Sequence, residues 1–578
     1  MSALPAHEPA KHPSSSFAKS LFRGEIHTDM VLPFPGMQQA ERKKVSDLIS
    51  SLRDVVDDLY DPVKASENGW VGDDLIAGLG ERGLLGLYVG EQYGGQGLSQ
   101  TGYCRVMEEY GAVDASLSVA MGVHQSIGMK PLHLFGSDEQ KERFLPDLAS
   151  GRKLAAFALT EPEAGSDAHN IQSRAEQQAD GSWRLNGEKR FIGNGSKDVL
   201  VTFAQSDRGF VALILEKGMD GLEVGPRYDT LGLRANDLRP LRFNDVRVPP
   251  ENLLGEPGEG FRIAMHTLNN GRISLGTGVI GGTKKLIDLT IEHCQNRRQF
   301  GRPIAEFELV QEKIAWMVSY LFGLESLAYL TTGLVDEGVT DYSIESAISK
   351  VASTEFIWYA ANRAFQLAGG KAYMRTEPYE RILRDIRIFP IFEGANDVLR
   401  AFIALSGLKA LADEHTDLAH LNLADPIGSI GVLADYAVSK VRREIVRPRL
   451  EGIHPDLEAL AHPVGDHVRK LRATGEKLLR THGENVVLRQ WQQKRLADAA
   501  ADLYAQIATL SRVNGIFQER GVEASGQERY IAETFCSRAS RRIERQLDEV
   551  DQNDDERMHS IAELAYNRGG YDLPLYRS

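Results

Sequence analysis

Apolar residues near the start of the chain recur every three or four positions, the spacing of one face of a helix. Between Glu41 and Tyr60 this stripe consists of Val45, Leu48, Ile49, Leu52, Val55, Val56 and Leu59. Helical patterns continue to about Leu148 and are interrupted by the glycine-rich turn Tyr93–Gly97. The first large unit is therefore predicted to be a group of helices.

The pattern changes after Leu148. Short runs of β-branched and aromatic residues, separated by turn pairs such as Asp180-Gly181 and Asn186-Gly187, are typical of antiparallel strands. The predicted strands lie within Leu154–Leu159, Trp183–Leu185, Val199–Ala204, Phe210–Leu215 and Leu241–Phe243. The middle unit is therefore predicted to be an antiparallel β domain.

Helical spacing returns after Gly258 and continues to about Leu411, where a polar stretch predicts a linker. Two long amphipathic segments, Glu484–Ile516 and Glu528–Val550, follow the linker. The fold class is predicted to be mainly α with a central antiparallel β domain and an additional C-terminal helical domain. The predicted units are an N-terminal extension (1–40), a helical domain (41–153), a β domain (154–255), a second helical domain (256–411), a linker (412–426) and a C-terminal helical domain (427–578).

Composition narrows the class of protein. The chain has 578 residues, 42% of them hydrophobic, which is enough for a large buried core, and its net charge of −14 argues against general nucleic-acid binding. Its three cysteines are far apart and indicate neither a disulfide framework nor a zinc site, so no metal is expected. Met1–Ser16 resembles a disordered lead-in more than a signal or transit peptide. No apolar stretch approaches the roughly eighteen residues needed to span a bilayer, and the cytoplasm is the expected compartment.

Two glycine motifs, Gly78–Gly83 and Gly276–Gly281, match the GxGxxG spacing of dinucleotide-binding loops. Such a loop needs a strand before it and a helix after it. The first motif follows a helical segment and precedes the strand-like run Leu84–Val89, and the second lies inside a long helical pattern. Neither is therefore predicted to bind a nucleotide.

The segment Ile391–Arg400 places Glu393 after two apolar residues and shortly before a helix-like run. Gly394 allows a tight turn, and Asn396 or Asp397 can cap the following helix. A carboxylate in such an apolar neighbourhood is partly desolvated, which raises its pKa and suits it to remove a proton from carbon. Taken alone, the pattern is more simply explained as an acidic residue beside a helix N-terminus.

Other segments carry compatible chemistry. Phe157–Asp167 joins a strand to a loop in which Thr160 and Ser166 can donate hydrogen bonds and Gly165 can expose backbone N–H groups to an anion. On its own this segment is equally a strand followed by a turn. Lys189–Gly195 offers an aromatic face and a turn suited to a flat ring.

An arginine fork and a glycine pair follow later in the chain. Arg297–Gly301 and Gln366–Gly370 are both suited to a pyrophosphate. In this order and spacing, the segments from about Asp47 to Leu405 resemble the acyl-CoA dehydrogenase family of flavoenzymes. The extra C-terminal unit and four further motifs resemble the very-long-chain subgroup of that family. Those motifs are Ser16–Gly24, Asp29–Pro35, His124–Gly128 and Leu268–Arg272.

The resemblance implies a fold and a reaction. The fold is a helical domain, a β-barrel-like domain and a helical bundle, with FAD between the last two. The reaction is α,β-dehydrogenation of a long- or very-long-chain acyl-CoA to the trans-2-enoyl-CoA in fatty-acid β-oxidation. Glu393 would remove the α-proton, flavin N5 would accept the β-hydride, and the Glu393 N–H and a ribityl hydroxyl would hold the thioester oxygen. Some subgroups carry their glutamate at the position of Gly271, so Glu393 is the only matching base.

The resemblance also implies site residues and partners. The expected FAD contacts, some of them across a subunit boundary, are Phe157, Leu159, Thr160, Gly165, Ser166, Phe191, Ile192, Gly193, Arg297, Gln299, Phe300, Gln366, Gly369, Gly370, Asn396 and Asp397. The expected substrate contacts are Ser166, Asn269, Asn270, Gly271, Arg272, Phe392 and Gly394. Electron-transfer flavoprotein is the expected acceptor. A homodimer is expected because the extra domain in the subgroup occupies the face with which ordinary members form tetramers. A eukaryotic member would lie in the mitochondrial matrix.

The sequence departs from the family pattern at two positions. Phe191-Ile-Gly193 stands where the family usually has Trp-Ile-Thr or Trp-Ile-Ser, so a hydroxyl expected near flavin N5 is absent. Ala395 stands where the subgroup usually has threonine. The first departure keeps open an oxygen-using relative such as an acyl-CoA oxidase. A third hypothesis is a non-catalytic assembly or binding protein with the same fold, although retention of Glu393 argues against it.

Two further features have two interpretations each. Ile427, Ile430, Ala434, Ala437, Val441 and Ile445 form an apolar stripe followed by a basic cluster. This segment, 427–449, either makes a peripheral membrane contact or is an ordinary amphipathic helix. Gly122 either leaves room for a long acyl tail or lets two helices pack closely.

Overall fold

The structure is a computed structural model that describes residues 16–413, 447–571 and 573. Nearly all of the predicted linker and of the apolar and basic stripe at 427–449 lies outside the described residues. The N-terminal helical region agrees with the sequence pattern, because the second helix buries Val45, Leu48, Ile49, Leu52, Val55 and Val56 along one face. Its helices are α1 (Phe17–Phe22), α2 (Gln39–Leu59), α3 (Pro62–Asn68), α4 (Asp73–Glu81), α5 (Gln100–Val113), α6 (Ala115–Gly122), α7 (Lys130–Phe135) and α8 (Asp138–Ala149), with a π-helical turn at Val123–Met129.

The strand-like run Leu84–Val89 is not a strand. It is a buried, irregular segment that packs against the glycine-rich turn. The N–H groups of Gly97 and Leu98 donate to the carbonyls of Val89 and Leu87, and the N–H of Leu87 donates to Gln125 Oε1 at 3.1 Å. The local pattern was misleading because side-chain and turn partners satisfy this backbone instead of a neighbouring strand.

The middle region is an eight-stranded sheet with β6, β7, β3, β2, β4, β5 and β8 in order, and β1 beside β4. Its pairs are antiparallel, as predicted, except that β4 runs parallel to β1 and, at one residue pair, to β2. The predicted Asn186-Gly187 turn is wrong, since both residues lie inside a long strand where its register shifts. The strands are β1 (Ala155–Ala158), β2 (Arg174–Gln177), β3 (Trp183–Ile192), β4 (Val199–Ser206), β5 (Gly209–Glu216), β6 (Leu222–Val224), β7 (Arg239–Val248) and β8 (Leu253–Leu254).

The second helical region contains the longest helix of the described residues, α9 (Gly260–Asn296), which includes all three glycines of the second GxGxxG motif. A Cβ at Gly281 would lie 1.7 Å from the carbonyl oxygen of Glu108, so this glycine lets α9 and α5 pack closely. The prediction that the motif belongs to a helix is confirmed. The elements are α9 (Gly260–Asn296), a hairpin of β9 (Arg298–Gln299) and β10 (Arg302–Pro303), α10 (Glu308–Asp336), α11 (Ser343–Ala368), α12 (Pro378–Ile386) and α13 (Asn396–Asp413).

The C-terminal region is helical, as the amphipathic pattern predicts. Its elements are α14 (Glu458–His482), α15 (Gln490–Arg520), α16 (Gly526–Asp548) and α17 (Asp555–Arg568). Helix α1 belongs to the same hydrophobic core, because Phe17, Leu21 and Phe22 are fully buried against α13 and this region. Ser16 caps α1 and is buried, so the disordered lead-in that was predicted for Met1–Ser16 does not include Ser16.

Helix α10 meets the length and composition of a membrane span, contrary to the prediction that no apolar stretch does. Its buried positions include Met317, Leu324 and Leu330. It contacts α9, α11, α15 and α16. Its apolar character is therefore accounted for by its place between two helical regions.

Candidate functional site

Glu393 lies in the loop between α12 and α13, where the backbone makes two successive left-handed residues. Its φ is 55° and that of Gly394 is 94°. The first value is costly for a residue with a Cβ and persists only where neighbouring groups fix it. Arg272 Nε donates to the carbonyl of Glu393 at 3.2 Å, and Lys350 Nζ donates to the carbonyl of Gly394 at 2.7 Å. Two cations, one from α9 and one from α11, therefore hold this turn.

The Glu393 carboxylate is desolvated and incompletely paired. Its Oε2 atom is buried and has no hydrogen-bond partner. Burial raises the pKa of the carboxyl, and the nearby charges of Arg272 and Lys350 act in the opposite direction. The N–H of Glu393 donates to no acceptor among the described residues. The loop thus presents a proton acceptor and a free backbone donor side by side.

Gly271 supplies the space that the carboxylate occupies. A Cβ at this position on α9 would lie 2.9 Å from Glu393 Oε2 and 2.8 Å from Ile127 Cγ2. Both distances are shorter than real Cβ contacts. The two positions at which a catalytic glutamate was considered are thus adjacent in space, and glycine at one accommodates the carboxylate at the other.

Lys350 is a functional candidate that the sequence pattern did not identify. Its side chain is fully buried on α11, and Nζ donates to Asn396 Oδ1 as well as to Gly394 O, both at 2.7 Å. Burial lowers the pKa of Lys350 to about 7, although Glu393 acts to raise it. The available signal was a lysine between Ile348 and Val351 in an otherwise apolar and small helical stretch.

Glu393 lines a cavity of ≈ 2630 Å³. This volume exceeds the several hundred Å³ typical of a site for one small ligand and leaves room for two large ones. The cavity is lined by most of the residues that were predicted to contact FAD or the substrate. They are Phe157, Leu159, Thr160, Gly165, Ser166, Phe191, Ile192, Gly193, Asn269, Gly271, Arg272, Phe392, Gly394 and Asp397.

The loop after β1 is fixed by a buried ion pair. Lys189 on β3 donates to Glu161 Oε1 at 2.7 Å and to the carbonyl of Leu159 at 3.1 Å. Glu161 also accepts from the N–H of Ser173 at 3.1 Å. Burial lowers the pKa of Lys189 to about 8, although Glu161 acts to raise it. The pair holds Thr160 and the residues up to Ser166 at the cavity wall.

The departure at Gly193 has a steric counterpart. A Cβ at Gly193 would lie 3.0 Å from Val123 Cγ2 on the π-helical turn. A side chain at position 193 would therefore require Val123 to shift by a few tenths of an ångström. Phe191, two positions earlier, keeps 56% of its surface exposed and lines the cavity.

Two predicted polar residues face the protein interior instead of the cavity. Asn270 donates from Nδ2 to Tyr342 Oη at 2.9 Å and to the carbonyl of His266 at 3.1 Å. Asn396 is occupied by Lys350 and by other groups on α11. The structure therefore does not bring either side chain to the cavity, where the resemblance to the family implied that both would lie.

A second group of predicted residues lies outside the cavity on the surface. Phe300, at the tip of the β9–β10 hairpin, is 93% exposed. A Cβ at Gly369 or Gly370 would meet nothing within 4 Å, so the backbone there is open to close approach. The full group is Arg297, Gln299, Phe300, Gln366, Gly369 and Gly370, and all six are exposed.

Family models match the chain in four consecutive segments. Acyl-CoA dehydrogenase N-terminal, middle and C-terminal domains match residues 43–152, 156–246 and 258–408. The ACAD9/ACADV C-terminal domain matches residues 455–571. The fourth match corresponds to the helices α14 to α17.

Similar proteins and solved structures cover between 64% and 98% of the chain. The very long-chain specific acyl-CoA dehydrogenase, mitochondrial, of Homo sapiens is 37% identical over 590 residues, covering 98% of this chain and 90% of that protein. A structure of acyl-CoA dehydrogenase complexed with FAD from Bacillus anthracis has a TM-score of 0.80 and 30% identity, covering 92% and 91% of the two chains. Butyryl-CoA dehydrogenase from Megasphaera elsdenii, with a TM-score of 0.61 and 32% identity, is covered over 98% of its length by 64% of this chain.

Proposed function

The chain belongs to the acyl-CoA dehydrogenase family, and on that premise we propose that it dehydrogenates long- or very-long-chain acyl-CoA in fatty-acid β-oxidation, with Glu393 as the base. It is a flavin-dependent oxidoreductase whose cofactor is FAD. The observation that carries the proposal is the Glu393 carboxylate, whose buried Oε2 has no partner. The loop that holds it lines a cavity large enough for a cofactor and a thioester together.

The residues at the cavity wall fit a flavin. Phe191 offers a half-exposed ring, Thr160 and Ser166 offer hydroxyl donors, and a Cβ at Gly165 would meet nothing within 4 Å. When bound, FAD supplies the acceptor for the hydride that leaves the β-carbon. Gly193 offers no side-chain hydroxyl there, so only backbone groups at this position are available to the flavin edge.

Glu393 would take the α-proton onto its carboxylate while the β C–H bond is broken, so that a carbon–carbon double bond forms. Its raised pKa increases its basicity, and the charges of Arg272 and Lys350 keep the ionised form accessible. The free N–H of Glu393 would donate to the thioester oxygen as negative charge develops there. The proton acceptor and the N–H donor thus belong to the same residue, Glu393. Arg272 and Lys350 fix the two carbonyls of its turn.

The cavity also extends towards α5 and α6, where small residues line it. A Cβ at Gly122 would meet only Met107 Cε, at 3.9 Å, which is ordinary contact. Gly122 is therefore not required for close helix packing, in contrast to Gly111, where a Cβ would lie 1.9 Å from the carbonyl oxygen of Gly278. This space supports the interpretation that Gly122 leaves room for a long acyl tail.

The exposed group around Phe300 supports a homodimer in which each copy completes the FAD site of the other. These residues are suited to a pyrophosphate, yet they lie outside the cavity of their own chain. Electron-transfer flavoprotein is the proposed acceptor. An oxidase would instead pass electrons from the reduced flavin to oxygen.

An anaerobic titration tests the proposal. Purified protein with bound FAD is mixed with acyl-CoAs from C4 to C20, and flavin absorbance is followed. Rapid bleaching by long chains supports the reaction and the substrate class, whereas no bleaching by any acyl-CoA contradicts both. Gly122→Leu should slow bleaching by the longest chains and spare short ones, because its side chain projects into the space near Met107. Adding air or electron-transfer flavoprotein to the reduced protein then separates an oxidase from a dehydrogenase.

A further inference from the structure

Lys350 is a buried lysine whose Nζ donates its hydrogen bonds to the Glu393 loop and to the start of the helix that follows it. Its side chain is fully buried. A buried ammonium group needs hydrogen-bond acceptors, and those found here are Gly394 O and Asn396 Oδ1, each at 2.7 Å. The first acceptor is the carbonyl immediately after Glu393, and the second belongs to the first residue of α13. Lys350 therefore ties the end of the catalytic loop to the start of the following helix.

The loop needs such a tie because of its backbone. The φ values of 55° at Glu393 and 94° at Gly394 form a turn that a non-glycine residue does not adopt without support. Arg272 binds the carbonyl of Glu393 from α9, and Asn396 N–H closes the turn on the carbonyl of Pro390 at 2.9 Å. Lys350 is the contact that fixes the peptide on the C-terminal side of the base.

We propose that Lys350 is a positioning residue for proton abstraction, which holds the left-handed turn at Glu393-Gly394 and places a positive charge beside the carboxylate. This inference rests on the proposed function, since it assigns a role relative to Glu393 as the base. Lys350 does not line the cavity, so it acts through Glu393 and not by contact with the substrate.

The same network continues into the C-terminal region. Asn396 Nδ2 donates to Glu355 Oε1 at 3.0 Å, and Arg400 Nη1 donates to the same oxygen at 3.3 Å. Arg400 Nε donates to Asp498 Oδ1 at 2.8 Å, and Asp498 lies on α15. Helix α15, in the segment that matches the ACAD9/ACADV C-terminal domain, thus forms the outer end of the contacts that hold the base.

The sign of the electrostatic effect follows from the groups that face Lys350. They are Glu393 in the loop, Arg272 on α9, Glu355 on α11 and Arg400 on α13. A positive charge at Lys350 favours the ionised form of Glu393, so its removal raises the pKa of Glu393 further. The basic form then appears at higher pH, and the pH profile of proton abstraction moves in that direction.

The test compares Lys350→Met with wild type, both loaded with FAD. We expect the rate constant of flavin reduction by a long-chain acyl-CoA to fall about 100-fold, the usual result of a misplaced reacting group. The limb of the pH profile on which the rate rises as Glu393 ionises should move to higher pH. The dissociation constant of a redox-inert acyl-CoA analogue should stay unchanged. Hydrogen–deuterium exchange of residues 387–395, measured without substrate, should become faster.

Lys130→Met is the matched control. Lys130 is another buried lysine, with Nζ 3.8 Å from the centre of the Tyr88 ring, and it does not line the cavity. Its loss should lower thermal stability without moving the pH profile. If Lys350→Met does not fold, Lys350→Gln takes its place, because it keeps a hydrogen-bond donor and removes only the charge. The Gln variant should then show the shift in pH profile and a smaller loss of rate.

The outcomes separate the two proposals. An unchanged rate and pH profile in the Lys350 variants, with wild type bleached by acyl-CoA, overturns the role of Lys350 alone. Failure of wild type to be bleached overturns the proposed function. Asp498→Ala should change exchange of residues 387–395 and the rate in the same direction as Lys350→Met but less, and no change in either contradicts the extension of the network to α15.

Discussion

Two glutamates have a carboxyl group whose pKa is raised by burial, but their surroundings differ. Glu345 lies on α11 and Glu393 in the loop before α13, and in each the Oε2 atom is buried without a hydrogen-bond partner. Burial raises the pKa of both carboxyls, that of Glu345 to about 7. Judged only by the direction of the pKa shift, both carboxyls qualify as candidate bases.

Their geometry separates them. Glu345 Oε1 accepts from Ser16 Oγ at 2.7 Å and from the N–H of Ala18 at 2.8 Å, so this carboxylate fixes the start of α1. It lies in regular helix and does not line the cavity. Glu393 stands in a left-handed turn, faces the cavity and has two cations nearby. A raised pKa therefore records burial, and access to a substrate space together with a fixed backbone makes the carboxylate a candidate base.

The largest expected effect comes from replacing the two glutamates with glutamine. Glu393→Gln keeps the shape of the side chain and removes the proton acceptor, so flavin reduction by acyl-CoA should slow by about 10³- to 10⁴-fold, the contribution of a general base. Bound FAD should be retained. Glu345→Gln should reduce flavin at nearly the wild-type rate. Stopped-flow absorbance under anaerobic conditions measures both, and comparable losses in the two variants would contradict the distinction.

A smaller effect is expected when the space beside the base is filled. In Gly271→Ala the new Cβ would lie 2.9 Å from Glu393 Oε2 and 2.8 Å from Ile127 Cγ2. The carboxylate must move, and we expect flavin reduction to slow by about 100-fold. Gly515→Ala on α15 is the matched control, because position 515 does not line the cavity and a Cβ there would make only an ordinary contact with Phe34, at 3.9 Å. Equal rates in the two variants would show that the position of the carboxylate is not critical.

Much of the fold followed from periodicity. The stripe in α2 and the burial of the Gly276–Gly281 motif inside α9 follow from local spacing. Two of the failures have a common cause, since Leu84–Val89 and Asn186-Gly187 carry strand and turn signals that distant partners override. Gln125 satisfies the backbone in the first case, and pairing of β3 with β7 extends through the second.

The candidate site was predictable in part for the same reason. Glu393 and Gly271 are visible because their segments have a recognisable order along the chain. Lys350 was not visible, because its role depends on contact with a loop more than forty residues away in sequence. The inward orientation of Asn396 depends on that same contact. Long-range hydrogen bonds between a helix and a loop leave no periodic signal in the chain.

The smallest expected effect concerns stability and returns to Glu345. A carboxyl whose pKa is raised on folding contributes stability that is fully present below its unfolded pKa and is lost as pH rises through the folded value. For Glu345 that window runs from the usual glutamate range up to about pH 7, and the loss is on the order of 3 kcal/mol.

Glutamine at this position does not ionise, so the melting temperature of Glu345→Gln relative to wild type should rise between pH 4.5 and pH 8. Differential scanning calorimetry of the FAD-loaded proteins at several pH values measures this difference in melting temperature. Ser16→Ala is the control, because it removes one hydrogen bond to Glu345 and keeps the carboxyl. A difference that stays constant with pH would mean that Glu345 is already ionised at pH 5. Glu345 and Glu393 would then differ in their pKa as well as in their geometry.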